Sequence, residues 1–312
     1  MTPRFSIVVL LLCGLNLPPV VADTINVPDD QPTIAAAISA SVDGDVIDIA
    51  AGIYTEHSLS TSGKAITIQG ALDASGGPLT TIDAQQNGRI FIINSGEGAN
   101  TVIQHLVITG GGGPSASPGG GIYCFGAAPI IRGCTISGNT TSTSGGGIFL
   151  ERSNATITDC SIESNTANLE GGGIIAIDSS PTITNCSITS NTASNGGGLH
   201  ILGIPLPPCK PWDPDCENES GPPTASVTLT DCRMESNSPN NFVINDNGVG
   251  LVFNTSASVL GDADGDGDVD LDDRTAVDDA LGLCAADIDG DGQVDGADLS
   301  YVLGYWGLCS AP

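Results

Sequence analysis

GGGIFLERSNATITDCSIESN (residues 145–165) is followed one period later by GGGIIAIDSSPTITNCSITSN (171–191), a repeat of 26 residues. Inside each copy apolar and polar residues alternate at a period of two. Ile148 and Leu150 flank Phe149, Ala155 and Ile157 flank Thr156, and Cys160 and Ile162 flank Ser161. Such alternation marks short strands with one buried face, and the Gly, Ser and Asn between them are turn residues. No segment between them carries a helical period. Three short strands per repeat describe a solenoid. One unit cannot bury its apolar face alone, so it stacks on the next at the strand spacing of about 4.8 Å. The pattern predicts an all-β parallel β-helix.

The period reaches well beyond the two quoted copies. Gly triplets begin at Gly119, Gly145, Gly171 and Gly196, while Cys134, Cys160 and Cys186 and then Asn139, Asn165 and Asn191 keep step. A fourth Cys and Asn, Cys232 and Asn237, arrive 21 residues late, and GIPLPPCKPWDPDCENESGPP (203–223) is the insertion that delays them. Upstream, HLVITGG (105–111) matches GCTISGN (133–139), with Leu106 at the Cys position. Earlier strands are expected at 65–69, 80–82 and 90–93. Ile34 and Ile38, placed after Pro32, read as a helix over about residues 32–41. Such a helix would cap the open end of the stack, which otherwise exposes core and strand edges.

Stacking turns each repeat position into a column. Cys134, Cys160, Cys186 and Cys232 alternate inward with Ile136, Ile162, Ile188 and Met234. They read as a ladder of small buried hydrophobes, because a metal needs converging ligands and not a line along one sheet. Cys124 aligns with Leu150 and Ala176 and reads as another buried thiol. The Asn column reads as an internal amide ladder that bonds the backbone from rung to rung. Tyr123, Phe149, Ile175 and His200 form an outward column, which makes Tyr123, Phe149 and His200 candidate glycan-facing residues. Exposed aromatics on a flat sheet stack on sugar rings; the alternative is a neighbouring loop that covers them. Asp159, Asn185 and Asp231 precede successive ladder cysteines, and Glu163 and Glu235 follow two of them. Carboxylates two rungs apart would stand about 9–10 Å from each other, near the upper range for an inverting glycosidase pair. Asp159 and Asp231 are therefore the catalytic candidates, against the alternative of solvated surface acids. Arg132, Arg152 and Arg233 are isolated, and His57, His105 and His200 form no recognisable constellation.

The chain has 312 residues, with 36 acids against 8 bases and a net charge of −28. That balance excludes a basic stripe for nucleic acid and disfavours adhesion to anionic lipid. A hydrophobic fraction of 40 % is too high for a disordered chain. Residues 1–22 read as a signal peptide: Arg4, then FSIVVLLL (5–12), then Pro18-Pro19, then Val20-Val21-Ala22 before the expected cut. The apolar run is too short to span a bilayer, and no later stretch reaches spanning length. A secreted or surface protein with no membrane span is expected. In that compartment Cys209 and Cys216, which flank Trp212 in the insertion, are expected to pair.

Much of the negative charge lies at the C-terminus, in DADGDGDVDLDD (262–273) and DIDGDGQVDGAD (287–298). Both match the twelve-residue Ca²⁺ loop: acids at positions 1, 3 and 5, Gly at 6, a carbonyl at 7, an apolar residue at 8 and acids at 9 and 12. Each is followed by a helix-like segment, RTAVDDALGL (274–283) and LSYVLGYWG (299–307).

Two family resemblances follow from these motifs. INVPDDQPTIAAAISASVDGDVIDIAAGIYTE (25–56) resembles the opening of pectin-lyase-like right-handed β-helix proteins, with a capping helix, a Gly-Asp turn and a Gly-x-Tyr-x-Glu strand end. The likeness covers about residues 23–258 and implies a right-handed parallel β-helix. Loop and helix repeated twice, with Asp at position 12, resembles a type I dockerin, a small α-helical Ca²⁺-binding module, over residues 261–312. It implies two Ca²⁺ ions. One would be held by Asp262, Asp264, Asp266, Asp268 and Asp273, the other by Asp287, Asp289, Asp291, Gln293 and Asp298. It also implies a cohesin-like partner. Leu271-Asp272 and Gly296-Ala297 stand where dockerins often carry a Ser-Thr-like pair, a departure that bears on that partner. Cys284 and Cys309 hold the same place in each copy and are placed to bridge the two halves.

Three functional readings remain. The leading one is a secreted or surface β-helix protein that binds, and in one form processes, polysaccharide, with a Ca²⁺-dependent tail for attachment or assembly. The second is a glycoside hydrolase or polysaccharide lyase acting on acidic, pectin-like glycans. The third is a non-catalytic structural surface protein.

Overall fold

The structure, a computed structural model, describes residues 22–113, 118–203, 226–245 and 250–254. The expected signal segment apart from its last residue, the insertion with Cys209, Trp212 and Cys216, and the tail with both expected Ca²⁺ loops, Cys284 and Cys309 lie outside the described residues.

Among the described residues there is one helix, and the strands pair in parallel into three long sheets. Sheet I has nine strands, running from Thr24–Val27 through Val46–Ile49, Thr67–Gly70, Val102–Gln104 and Ile130–Arg132 to Gly250–Asn254. Sheet II runs over seven strands from Gly52–Tyr54 to Arg233–Glu235, and sheet III over seven from Leu59–Ser60 to Phe242–Asn245. The chain visits the sheets in turn, so each circuit is one rung of a parallel β-helix. No helix among the described residues is long and apolar enough to cross a membrane.

The rungs stack in strict register. On sheet I, Ile47, Ile68, Ile103, Ile131, Ile157, Ile183 and Leu229 follow one another inward. All are buried in one continuous core with Ile136, Ile162 and Ile188 from sheet II and Leu150, Ala176 and Ile201 from sheet III. β-branched side chains suit this role because they pack well on a pleated surface. The expected cysteine ladder lies in the same core, with Cys134, Cys160, Cys186 and Cys232 at 2 %, 3 %, 2 % and 8 % exposure and Cys124 at 0 %.

Two repeated features hold the corners. The first is the amide ladder. Asn165 Oδ1 accepts from the backbone N–H (3.1 Å) and Nδ2 (3.0 Å) of Asn139, while Asn165 Nδ2 donates to Ile136 O and to Asn191 Oδ1. Asn191 and Asn237 repeat the pattern. The second is the Gly triplet, in which all three positions need the absence of a side chain. A Cβ on Gly145 (φ +73°) would stand 2.8 Å from Phe149 Cβ. A Cβ on Gly146 would stand 2.8 Å from the Thr166 backbone, and one on Gly147 2.6 Å from Gly173 O.

Helix α1 spans Ile34–Ala40, narrower than the expected 32–41, with Thr33 as N-cap: its hydroxyl accepts from Ala36 N–H. It buries Ile34, Ala37 and Ile38 against the first rung. The Gly-x-Tyr-x-Glu segment has a physical role here. Glu56 accepts from the N–H groups of Ile34 (2.8 Å) and Ala35 (2.9 Å), and Tyr54 Oη donates to Ala50 O. A carboxylate at this end satisfies orphan donors and complements the helix dipole.

Candidate functional site

The outer face of sheet I carries a polar column. Asn26, Asp48, Gln69, Gln104, Arg132, Thr158, Thr184 and Thr230 stand in register on successive rungs. Four of them form one hydrogen-bonded chain. Arg132 Nε donates to Gln104 Oε1 (2.5 Å), Gln104 Nε2 donates to Gln69 Oε1 (2.7 Å), and Gln69 Nε2 donates to Asp48 Oδ1 (3.1 Å). A cation at one end and a carboxylate at the other fix the direction of both amides between them. Such a chain polarises cooperatively and holds its exposed member, Arg132, in one orientation.

Beside Arg132, where sheet I turns into sheet II, lies a groove of about 340 Å³. Gly76 and Pro78 form one wall, His105, Arg132 and Gly133 the middle, and Asp159 and Ser161 the far side. The first wall belongs to a loop organised by Asp73, which accepts from Ser75 N–H, Ser75 Oγ and Gly77 N–H. The turn residues of this corner, His105, Gly133, Asp159, Asn185 and Asp231, all have φ between +51° and +59°. Asp, Asn, His and Gly are the residues that accept this left-handed conformation most readily. Gly133 has a second reason: a Cβ there would stand 2.8 Å from the His105 ring. That ring therefore lies along the floor of the groove. Burial lowers the His105 pKa, and the Arg132 charge lowers it further, so the imidazole is neutral at pH 7.

Of the two catalytic candidates, Asp159 lines the groove, and Asn185 Nδ2 donates to its Oδ1 (2.5 Å). Asp231 sits two rungs on in the same corner column and does not line the groove. The groove thus joins a fixed guanidinium, a neutral imidazole and an exposed carboxylate. The guanidinium and the amides bind hydroxyls or anions, and the imidazole and carboxylate are able to exchange protons.

The expected glycan-facing column needs correction. Tyr123 is half-buried, Phe149 is 5 % exposed and His200 is 0 % exposed, so Phe149 and His200 offer no open face to a sugar. The column does point away from the core, but the triplet turns fold back on it: a Cβ on Gly196 would stand 2.9 Å from His200 Cβ, as Gly145 does at Phe149. Tyr123 and Phe149 stack on each other at 5.4 Å and 15°, and the Arg89 guanidinium lies 4.2 Å over the Tyr123 ring. The covering-loop alternative describes this face. Burial lowers the pKa of His200 despite the opposing charge of Glu170.

The ladder thiols are unreactive by environment. Cys160 Sγ donates to Thr158 O (3.2 Å), and Cys186 Sγ to Thr184 O (3.2 Å). Burial pushes the Cys124 thiol up to about 12, and a sulfur hydrogen bond with Cys160, added to burial, pushes Cys186 up to about 12. Among the described residues no three His, Cys, Asp or Glu side chains converge on a metal-sized site.

The Asp48–Gln69–Gln104–Arg132 chain and the position of His105 went unseen in the sequence. Their signal was present only as separation between pairs: 21, 35 and 28 residues, none of them the repeat period.

Residues 48–203 match the family model of the right-handed β-helix region, and the chain belongs to that family. Among solved structures it is similar to the pectin methylesterase of Aspergillus niger in its deglycosylated form. Identity there is 14 %, coverage is 77 % of this chain and 86 % of that one, and the TM-score is 0.41. A mutant pectin methylesterase in complex with a hexasaccharide gives 11 % identity, 78 % and 91 % coverage, and a TM-score of 0.36. No curated protein matches the chain.

Proposed function

We propose that the protein is secreted and binds an extended polysaccharide along the outer face of sheet I and the adjoining groove. The observation that carries this reading is the hydrogen-bonded chain from Asp48 to Arg132. Its exposed end, Arg132, and its half-buried members Asp48 and Gln69 offer polar groups along the solenoid axis, at one rung every 4.8 Å or so, with Gln104 buried between them. That is a repeat comparable to one sugar unit of an extended chain, and few other ligands are linear, polar and periodic. The test is a glycan array with the mature full-length chain, followed by titration of the best ligand. Arg132→Ala is expected to weaken binding about tenfold, which corresponds to roughly 1.4 kcal/mol. Absence of any bound glycan, or equal affinity in the variant, would overturn the reading.

The placement of His105 and Asp159 in one groove favours a second form of this function, a hydrolase or lyase acting on the bound chain. Glycan turnover that is lost in Asp159→Asn, with binding retained, would establish it. Binding without turnover would leave a non-catalytic module.

We further propose that the tail is a dockerin-like module. Two Ca²⁺ ions would be held by Asp262, Asp264, Asp266, Asp268 and Asp273 and by Asp287, Asp289, Asp291, Gln293 and Asp298. The module would attach the β-helix to a cohesin-like or other surface protein. Two twelve-residue loops with the full oxygen-donor pattern support this. Calorimetry of the full chain is expected to show two Ca²⁺ equivalents, falling to one in Asp262→Asn/Asp264→Asn.

A further inference from the structure

A second cavity, of about 260 Å³, lies where sheet II turns into sheet III. Its lining includes Ser58, Asn87, Arg89, Thr140 and Thr141, and it shares no residue with the groove beside Arg132. Gly88, Gly112 and Gly113, with φ of +150°, +138° and +127°, form much of the remaining wall. A Cβ on Gly112 would stand 2.5 Å from Thr140 O and one on Gly113 2.4 Å from Gln86 O, so this wall is close-packed backbone, and Gly112 N–H is tied to Gly88 O at 2.9 Å.

Arg89 is the unusual group here. Among the described residues the ion pairs are Arg152 with Asp178 and Arg233 with Glu235, so Arg89 has no carboxylate of its own. Its Nε is buried without an acceptor, and one face of the guanidinium is covered by Tyr123 at 4.2 Å. Burial acts against its charge, and Tyr123 is the one group that offsets this. In a chain with 36 acids and 8 bases, a half-buried cation with no carboxylate partner among the described residues is an uncompensated cost. A ligand anion would remove that cost.

We propose that this cavity is a binding site for a small hydroxylated monocarboxylate of monosaccharide size, with Arg89 as counter-charge. The charge count argues for one carboxylate: among the described lining residues Arg89 is the only Lys or Arg, so a dianion would remain half-compensated. The planar guanidinium also suits a planar carboxylate, through its exposed nitrogens. Thr140 Oγ1 donates to Gln86 Oε1 (2.6 Å) and keeps a lone pair that can accept from a ligand hydroxyl, and Ser58 Oγ, beside His57 Nδ1, and the Asn87 amide supply further partners.

The test uses the full-length chain titrated with D-glucuronate, D-glucose, acetate and sulfate, read by calorimetry and by backbone amide shifts. Glucuronate is expected to bind at least tenfold more tightly than glucose or acetate and to shift the amides of Gly88, Gly112 and Gly113. Arg89→Gln should lose at least tenfold in glucuronate affinity and Arg89→Lys less, while Arg152→Gln, at an arginine that lines neither cavity, leaves it unchanged. The shifts in the unaltered chain decide the matter even where Arg89→Gln lowers the melting temperature. No glucuronate binding, shifts elsewhere, equal binding by Arg89→Gln, or sulfate binding as tightly as glucuronate would each overturn the proposal.

Discussion

Every polar atom of the Asn165 amide is engaged inside the corner, where it packs beside Gly147. Asn165→Ala removes the acceptor of two Asn139 donors and the donor to Ile136 O. Buried groups left unpaired cost about 1–3 kcal/mol each, so a loss of about 3 kcal/mol is expected in urea unfolding. Two glycine substitutions separate crowding from backbone strain. In Gly147→Ala the new Cβ meets Gly173 O at 2.6 Å and Asn165 Nδ2 at 3.1 Å, so it is expected to cost more than Asn165→Ala or to abolish folding. Gly126 has φ +59° but nothing within 4 Å of a new Cβ. Gly126→Ala should therefore cost only the left-handed penalty, about 1–2 kcal/mol. Equal losses for the two glycines would contradict the packing described for the triplet.

At the scale of the element, the connections between strands depend on buried acids. Glu97 is 3 % exposed and accepts from Thr61 Oγ1, Gly63 N–H and Ser95 N–H. Burial works against its charge, but these hydrogen bonds hold its pKa below the ordinary carboxylate value. A depressed folded-state pKa gives stability that is present above the unfolded value, about 4.3, and is lost as pH falls through the folded one. The difference in urea midpoint between the parent and Glu97→Gln should thus be largest at neutral pH and shrink on acidification below pH 4 or so. A gap that widens in acid would refute the linkage. The elements also show what was legible beforehand. Strand faces and the cysteine and asparagine columns could be read because each depends on local alternation or on the 26-residue period, and the helix after Pro32 because Ile34 and Ile38 stand four apart. The outward aromatics were harder: alternation tells which way Phe149 and His200 point from the core, and nothing in it reports a turn folding back over them. The Asp48–Arg132 chain was invisible because early rungs vary in length, so its members share no period.

At the scale of the whole molecule, stability is close to a sum over neighbouring rungs, as in other solenoids. Removal of residues 145–170 joins Ser144 to Gly171 and takes out one complete circuit, leaving every column in phase. That deletion is expected to fold, with β-type circular dichroism and a cooperative melt at somewhat lower temperature. Removal of residues 145–171 instead joins Ser144 to Gly172 and takes a glycine from the triplet turn; the chain accommodates a rung of 25 residues between Ile174 and Leu199, where the triplet is kept, so this variant should fold but melt lower than the in-phase deletion. An equal melt for the two deletions would mean that the corner does not need all three glycines, contrary to the tight packing at the triplets.

The polar column on sheet I has a bearing on how the chain finds its own alignment. Its later members, Thr158, Thr184 and Thr230, are the same residue, and the isoleucines beneath them are nearly uniform. A rung arriving one place early in that half of the molecule meets an identical neighbour and gains almost as much. Asp48 and Arg132 stand at opposite ends of the pair Gln69 and Gln104, and their chain closes in a single order. The early rungs therefore carry addresses and the later ones do not. A chain that assembles from the addressed end outward counts its rungs correctly, whereas one that begins among the threonines has no means of telling its place.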